Sequence, residues 1–289
     1  MAGMSAQTLI YCVGAAKAGT SWLFDYLYSH HQTYFPTVKE LNYWNAVAMG
    51  AGQFYRGELE RRKGEIAARH AVTKDDDIHA YQLQSMADIE EWLVTFDGKT
   101  RDDKAYLGFI GAGLEDARLV GDFSPAYALL GPEWFAEMAK AHENVKFLYL
   151  LREPVDRLWS HFRMNAGGDE AAATGMVDGY LAGGETTVAR RSNYRRTVKR
   201  LLQAVPEDRI HVELYERLFT QDALEKMCDF LGIDAIPADF GKRVHGSPKA
   251  GLDPERRARL QAALKPQYNF IEQFMGTVPV EWQERMVAA

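Results

Sequence analysis

Apolar residues along the chain recur in two rhythms, short continuous runs and one-turn spacings, and the two alternate. Leu9–Val13 is a short run of strand-forming residues that stops at Gly14. From Thr20 the pattern changes. Trp22, Leu23, Tyr26 and Leu27 fall on one face of a helix, with Thr20 or Ser21 as its N-cap. Arg118–Asp122 reads as another short strand, stopped by Ser124-Pro125. Val145–Leu151, "VKFLYLL", is apolar at nearly every place, as a central strand of a parallel sheet must be. Arg152 ends it, and Pro154 opens a helix that Val155 to Met164 continues. Asn193–Val205 is an amphipathic helix with Tyr194, Val198, Leu201, Leu202 and Val205 on one side. Ile210–Leu214 is a strand, and Ala223–Leu231 a helix closed by Gly232. Strands alternating with helices predict an α/β, three-layer fold with a central parallel sheet flanked by helices. The opening strand, glycine loop and helix make it P-loop-like.

Two stretches break the alternation. Residues 45 to 110 carry the charge-dense "TKDDDIH" and "DGKTRDDK" and read as helices and loops inserted between the first and second core strands. Residues 166 to 189, rich in Gly, Ala and Thr, read as a mobile surface loop. The chain, residues 1–289, is expected to form a single domain whose insertion at about 45–110 shapes the substrate site.

Composition narrows the class. With 47% hydrophobic and 26% charged residues, the chain suits a globular domain with a real core. A formal net charge of -6 argues against general nucleic-acid binding. Cys12 and Cys228 match no metal-ligand spacing and read as buried small hydrophobes; His30 and His31 likewise suggest no metal site. The first residues lack a basic region and an apolar core, so no signal peptide is expected. No stretch approaches the roughly 20 apolar residues that span a bilayer. The expected location is the cytoplasm, with no membrane span.

Candidate chemistry begins at "GAAKAGTSWL", Gly14–Leu23. A helix N-terminus offers unpaired N–H groups to an anion, glycines let the backbone approach it, and Lys17 adds a full charge. Thr20 and Ser21 add hydroxyl donors. The common triphosphate loop places its lysine after the second glycine. Here Lys17 precedes Gly19, and the alternative is a tight turn with a surface lysine. The second segment is "LLREPVDRLWSHF", Leu150–Phe162. Arg152 sits at the carboxyl end of a central strand, where open α/β sheets bind ligands, and a guanidinium there holds phosphate bidentately. Ser160 adds a hydroxyl two helical turns on. The competing reading pairs Arg152 with Glu153 or Asp156.

The two segments, in this order and spacing, resemble the 5′-phosphosulfate loop and the 3′-phosphate motif of the PAPS-dependent sulfotransferases. "HVELYERLFTQDALEKMCDFLGI", His211–Ile233, resembles the segment that follows them in that family. The resemblance runs from about Thr8 to Ile233 and leaves 45 to 110 uncovered. It implies 3′-phosphoadenosine 5′-phosphosulfate as co-substrate, 3′,5′-ADP as product and no required metal. Lys17, Ala18, Gly19, Thr20, Ser21 and Trp22 would hold the 5′ end, and Arg152 with Ser160 the 3′-phosphate. Lys17 would also neutralise charge on the departing phosphate.

"TVKELNYW", Thr37–Trp44, resembles the K-E segment of the glycosaminoglycan-type and related bacterial branch, whose catalytic glutamate maps onto Glu40. A hydroxyl or amine acceptor needs such a general base; an exposed loop glutamate is the other reading. Lys39 either assists at the acceptor or is a solvated lysine. "GDFSPAY", Gly121–Tyr127, resembles the family's segment near the acceptor, which implies acceptor contacts for Phe123, Ser124 and Tyr127. Asp122 is the reserve base. Phe123 replaces a lysine of the polysaccharide enzymes, which weakens the case for a sulfated polysaccharide and suits a smaller or less acidic acceptor; the expected acceptor is a small molecule or a carbohydrate. "KRVHGSPKAG", Lys242–Gly251, stands where the family closes a loop over the nucleotide, which makes Ser247, Lys249 and Gly251 candidate donors; an ordinary surface loop fits equally. The basic run Arg190–Arg200 reads as a solvated helix face. A small-molecule kinase and a non-catalytic nucleotide-binding relative remain the alternatives.

Overall fold

A computed structural model describes residues 7–112, 117–184, 186–241 and 251–286. Five strands, β1 (Thr8–Gly14), β2 (Thr33–Tyr34), β3 (Leu119–Phe123), β4 (Val145–Leu151) and β5 (Ile210–Leu214), form one sheet. Their order is β2-β3-β1-β4-β5, and every pairing is parallel. β1, β3 and β4 are covered on both faces, which is why their sequences are continuous apolar runs rather than alternations. The edge strand β5 is only partly buried.

Helix α1 (Thr20–Tyr28) links β1 to β2. The insertion before β3 is helical: α2 (Tyr43–Met49), α3 (Gly52–His70), α4 (Asp76–Thr95) and α5 (Asp103–Ile110). α3 and α4 pack on each other, Leu59 and Ile66 of α3 being buried along with Ile89 and Trp92 of α4. Helix α6 (Pro132–Lys140) precedes β4. Helices α7 (Pro154–Asn165), α8 (Glu170–Leu181), α9 (Thr187–Arg190) and α10 (Tyr194–Ala204) lie between β4 and β5. After β5 come α11 (Tyr215–Leu218), α12 (Gln221–Leu231), α13 (Pro254–Met275) and α14 (Val280–Gln283). Among the described residues no helix is long and apolar enough to cross a membrane.

Three expectations need correction. The stretch 166 to 189 is mostly helix: Asp169 caps α8 by accepting from the Ala171 and Ala172 N–H groups, and Ala173 and Val177 are buried. Gly175 and Gly179 lie within α8, whereas Gly167, Gly168 and Gly183, which flank it, have positive φ. The N-cap of α1 is Gly19, not Thr20 or Ser21. Leu202 of α10 is 40% exposed, off the buried face formed by Tyr194, Val198 and Leu201.

The sheet order positions the site. From β1 the chain moves to the edge strand β2, returns to β3 beside β1, and then crosses to β4 and β5 on the other side. The order reverses at the carboxyl ends of β1 and β4, the place where open α/β sheets form a ligand crevice. Those strand ends carry the Lys17 loop and Arg152.

Candidate active site

The loop between β1 and α1 is shaped by close approaches. Gly14 has φ +139, and a Cβ there would stand 3.2 Å from both the Pro125 carbonyl and the Tyr149 ring. Gly19 has φ +89, and its Cβ would meet Leu218 Cδ2 at 2.9 Å and Tyr215 Cδ2 at 3.0 Å. Lys17 between them is also left-handed, at φ 72, a conformation a non-glycine residue rarely adopts without a constraint. No side chain caps the first turn of α1, so its N–H groups remain available to an anion. Lys17 Nζ lies 3.6 Å from Met164 Sδ on α7. Burial pushes its ammonium below the usual lysine value; the Arg152 charge adds to this, and Glu40 opposes it.

Arg152 turns toward that loop. Its Nη1 donates to the Lys17 carbonyl at 3.0 Å, and the guanidinium lies 4.5 Å from the centre of the Tyr215 ring. Its Nε is buried and has no partner among the described residues, an orphaned donor beside the loop. Glu153 and Asp156 do not pair with it. Glu153 accepts from the Tyr268 hydroxyl and stands 3.6 Å from Arg257, while Asp156 is held by Arg257 and Arg285. Both acids therefore bind the C-terminal helices and leave the arginine to the crevice. None of the described ion pairs includes Lys17 or Arg152. Ser160 is half-buried on α7.

The segment after β2 is fastened to the end of β3. The Glu40 N–H donates to the Phe123 carbonyl at 2.8 Å, and the Asn42 N–H donates to Ser124 Oγ at 3.1 Å. Glu40 itself has φ 61 and an exposed side chain. It bears electrostatically on Lys17, Lys39 and Asp122. Lys39 is not a solvated lysine: it is partly buried, its ammonium donates to Ser21 Oγ, and it lies 5.7 Å from the Phe24 ring centre. Burial lowers its pKa, with Glu40 opposing.

Asp122, 3% exposed, has both carboxylate oxygens engaged. It accepts from Tyr127 at 2.6 Å, Ser124 at 2.8 Å and Tyr106 at 2.9 Å. Burial raises its pKa, against the pull of those three hydroxyls. Ser124 and Tyr127 are fully buried in this network. Phe123 faces the core, 1% exposed and edge-on to Phe24 and Phe35, which corrects the expectation of an acceptor-facing ring.

Trp22 belongs to an aromatic row. It stacks with Phe240 at 6.0 Å and meets Phe219 edge-on at 5.0 Å, and Phe219 in turn packs on Tyr215. Gly251 is exposed; Ser247 and Lys249 lie outside the described residues. Sequence reasoning missed Tyr215, the platform under Arg152. It also missed Arg157 and His161 of α7, both buried behind the loop. Arg157 and His161 stand four apart within the second motif, on one face of its helix, and that spacing was the available signal.

A family model described as the sulfotransferase family matches residues 10–237. The chain belongs to the sulfotransferase family. The matched span contains Lys17, Glu40, Asp122, Arg152 and Ser160. Solved structures share the fold. One is a sulfotransferase from Alicyclobacillus acidocaldarius, at TM-score 0.62 and 20% identity over 96% of this chain and 99% of that one. Another is the sulfotransferase domain of the olefin synthase from Synechococcus PCC 7002, at TM-score 0.55 and 19% identity over 95% and 97%. No curated protein sequence matched the chain.

Proposed function

We propose that this protein transfers the sulfuryl group of 3′-phosphoadenosine 5′-phosphosulfate to a hydroxyl (or amine) of a small-molecule or carbohydrate acceptor. One observation carries the reading: Arg152 leaves both neighbouring carboxylates, lies on Tyr215 and bonds the Lys17 loop. Two cationic grips on adjoining strand ends suit a nucleotide with anions at both ends. The uncapped start of α1 and Lys17 would hold the 5′ end. Arg152, with its orphaned Nε, and Ser160 would hold the 3′-phosphate. Trp22 and its aromatic row offer π faces to the base.

In the transfer, the acceptor oxygen bonds to sulfur as the bond from sulfur to the 5′-phosphate oxygen breaks. Glu40 takes the acceptor proton, and 3′,5′-ADP leaves with the bonding electrons. Lys17 stabilises the negative charge that gathers on the departing oxygen. Asp122 acts as a positioning residue: through Ser124 it holds Asn42, and so the backbone that presents Glu40. The Lys39 ammonium on Ser21 adds positive charge at the start of α1.

The test is sulfuryl transfer from the donor to a panel of phenols, alcohols, sugars and amines, with Glu40→Gln beside the wild type. A general base contributes about 10²–10⁴ in rate, so the variant should lose that much in kcat while binding 3′,5′-ADP normally. A variant as active as the wild type would remove Glu40 from the mechanism. Stabilisation by ATP-Mg²⁺ and not by 3′,5′-ADP would overturn the choice of donor.

A further inference from the structure

Arg157 is an unusual arginine. It is 0% exposed, and none of the described ion pairs gives it a carboxylate. Its donors go to neutral acceptors instead. Nη1 donates to the carbonyl of Ala16, in the loop, at 3.3 Å and to His161 Nδ1 at 3.2 Å; Nη2 donates to the Val188 carbonyl at 2.7 Å; Nε is buried with no partner among the described residues. One side chain thus ties the loop to α7 and to α9.

A buried charge needs a counter-charge, because its desolvation is repaid only by close pairing. The acids available on the same helix face away, Asp156 to Arg257 and Arg285 and Glu153 to Tyr268 and Arg257. Burial disfavours the charged form of Arg157; the Tyr194 and Tyr149 hydroxyls oppose this, and the cations that bear on it, Arg191 and Arg152, add to it. Arg157 bears in turn on Lys17 and on His161, which burial and the surrounding cations hold neutral. Positive charge is therefore gathered behind Ala16 and Lys17, and among the described residues no ion pair balances Arg157.

We propose that Arg157 is a positioning residue for the sulfuryl donor: it fixes the turn of the loop through Ala16, and its charge is balanced by the bound nucleotide rather than by the protein. This rests on the donor reading above. Arg157 need not touch the ligand, since it acts through the loop and through its field.

The test compares folding with binding. Arg157→Met keeps much of the volume and removes the charge, and exchange of a poorly balanced buried charge for an apolar side chain often costs no stability. The variant should melt at or above the wild-type temperature without ligand, yet bind 3′,5′-ADP at least about ten-fold more weakly, the loss expected for a charge-assisted interaction. A purely structural arginine gives the opposite result, a lower melting temperature with wild-type affinity in the folded fraction, and that result overturns the proposal. If Arg157→Met does not fold, Arg157→Lys and Arg157→Gln decide. The lysine should bind 3′,5′-ADP about ten-fold better than the glutamine, and equal binding overturns the proposal. Failure of the wild type to bind 3′,5′-ADP would sink the donor reading and this inference together. Wild-type binding with undiminished affinity in Arg157→Met sinks this inference alone.

Discussion

Gly19→Ala tests the link between the loop and the arginine that faces it. Gly19 has φ +89 and ψ 7, and the left-handed region costs an L-residue about 1–2 kcal/mol. The new Cβ would also stand 2.9 Å from Leu218 Cδ2 and 3.0 Å from Tyr215 Cδ2. Leu218 is fully buried, so relief requires repacking, typically about 1–3 kcal/mol. Together these predict a loss of about 2–5 kcal/mol, or on the order of 3–8 °C in melting temperature for a chain of this size. The functional consequence follows from Tyr215. Its ring carries the Arg152 guanidinium, so pushing the ring moves the proposed 3′-phosphate grip. Calorimetric melting and titration with 3′,5′-ADP should show both losses in one variant. A melting temperature within 1–2 °C of wild type, with unchanged affinity, would refute the reasoning, since less than about 1 kcal/mol would then be at stake.

Two further predictions concern protons. Burial and the Arg152 charge push Lys17 below its usual pKa, and an anion beside it pushes it back up. Binding of 3′,5′-ADP at alkaline pH should therefore take up protons, an uptake that fades toward neutral pH, where the ammonium is charged in both states. Calorimetry in buffers of different ionisation enthalpy measures it, and proton release would contradict the assignment. His161 is held down to about 3 by burial and by Arg157, Arg191 and Lys17. Its unfolded form binds a proton from about 6.5. The unfolded state is thus favoured as pH falls from 6.5 toward 3, by at most about 1.4 kcal/mol per pH unit. His161→Asn, which still offers Arg157 an acceptor, should lose less stability between pH 7 and pH 5 in urea unfolding; equal losses would dismiss the histidine as the cause.

The parallel sheet was readable because β4 and β1 are covered on both faces and so appear as unbroken apolar runs. Val145–Leu151 and Ile210–Leu214 begin and end where the pattern places them. Helix α8 was hidden because its buried residues are small. Ala173 and Val177 leave almost no periodic signal among glycines and threonines, although alanine is the strongest helix former. The two motifs located Lys17 and Arg152 because each follows a strand end that the fold brings together. Phe123 was misjudged because neighbouring strand residues face opposite sides. Asp122 points to the tyrosine network and Phe123 to the α1 side, a difference of environment that a motif string does not encode. The role of Arg157 was hard to read for a related reason: its partners Ala16 and Val188 lie 141 and 31 residues away, on other elements.

The division of labour at the end of β4 bears on descent. Arg152 faces the ligand, while Glu153 and Asp156 clasp side chains 101 to 129 residues further along the chain. Across relatives, an exchange at Glu153 or Asp156 should be accompanied by exchanges at Tyr268, Arg257 or Arg285, because an acid stranded without its cation is costly to fold. Arg152 is under no such obligation and should vary only when the donor does. Adjacent letters of one short segment thus answer to different selective pressures, one to chemistry and the others to the retention of a distant arm. A lineage could therefore lose the reaction and still keep most of the motif by which the reaction is inferred.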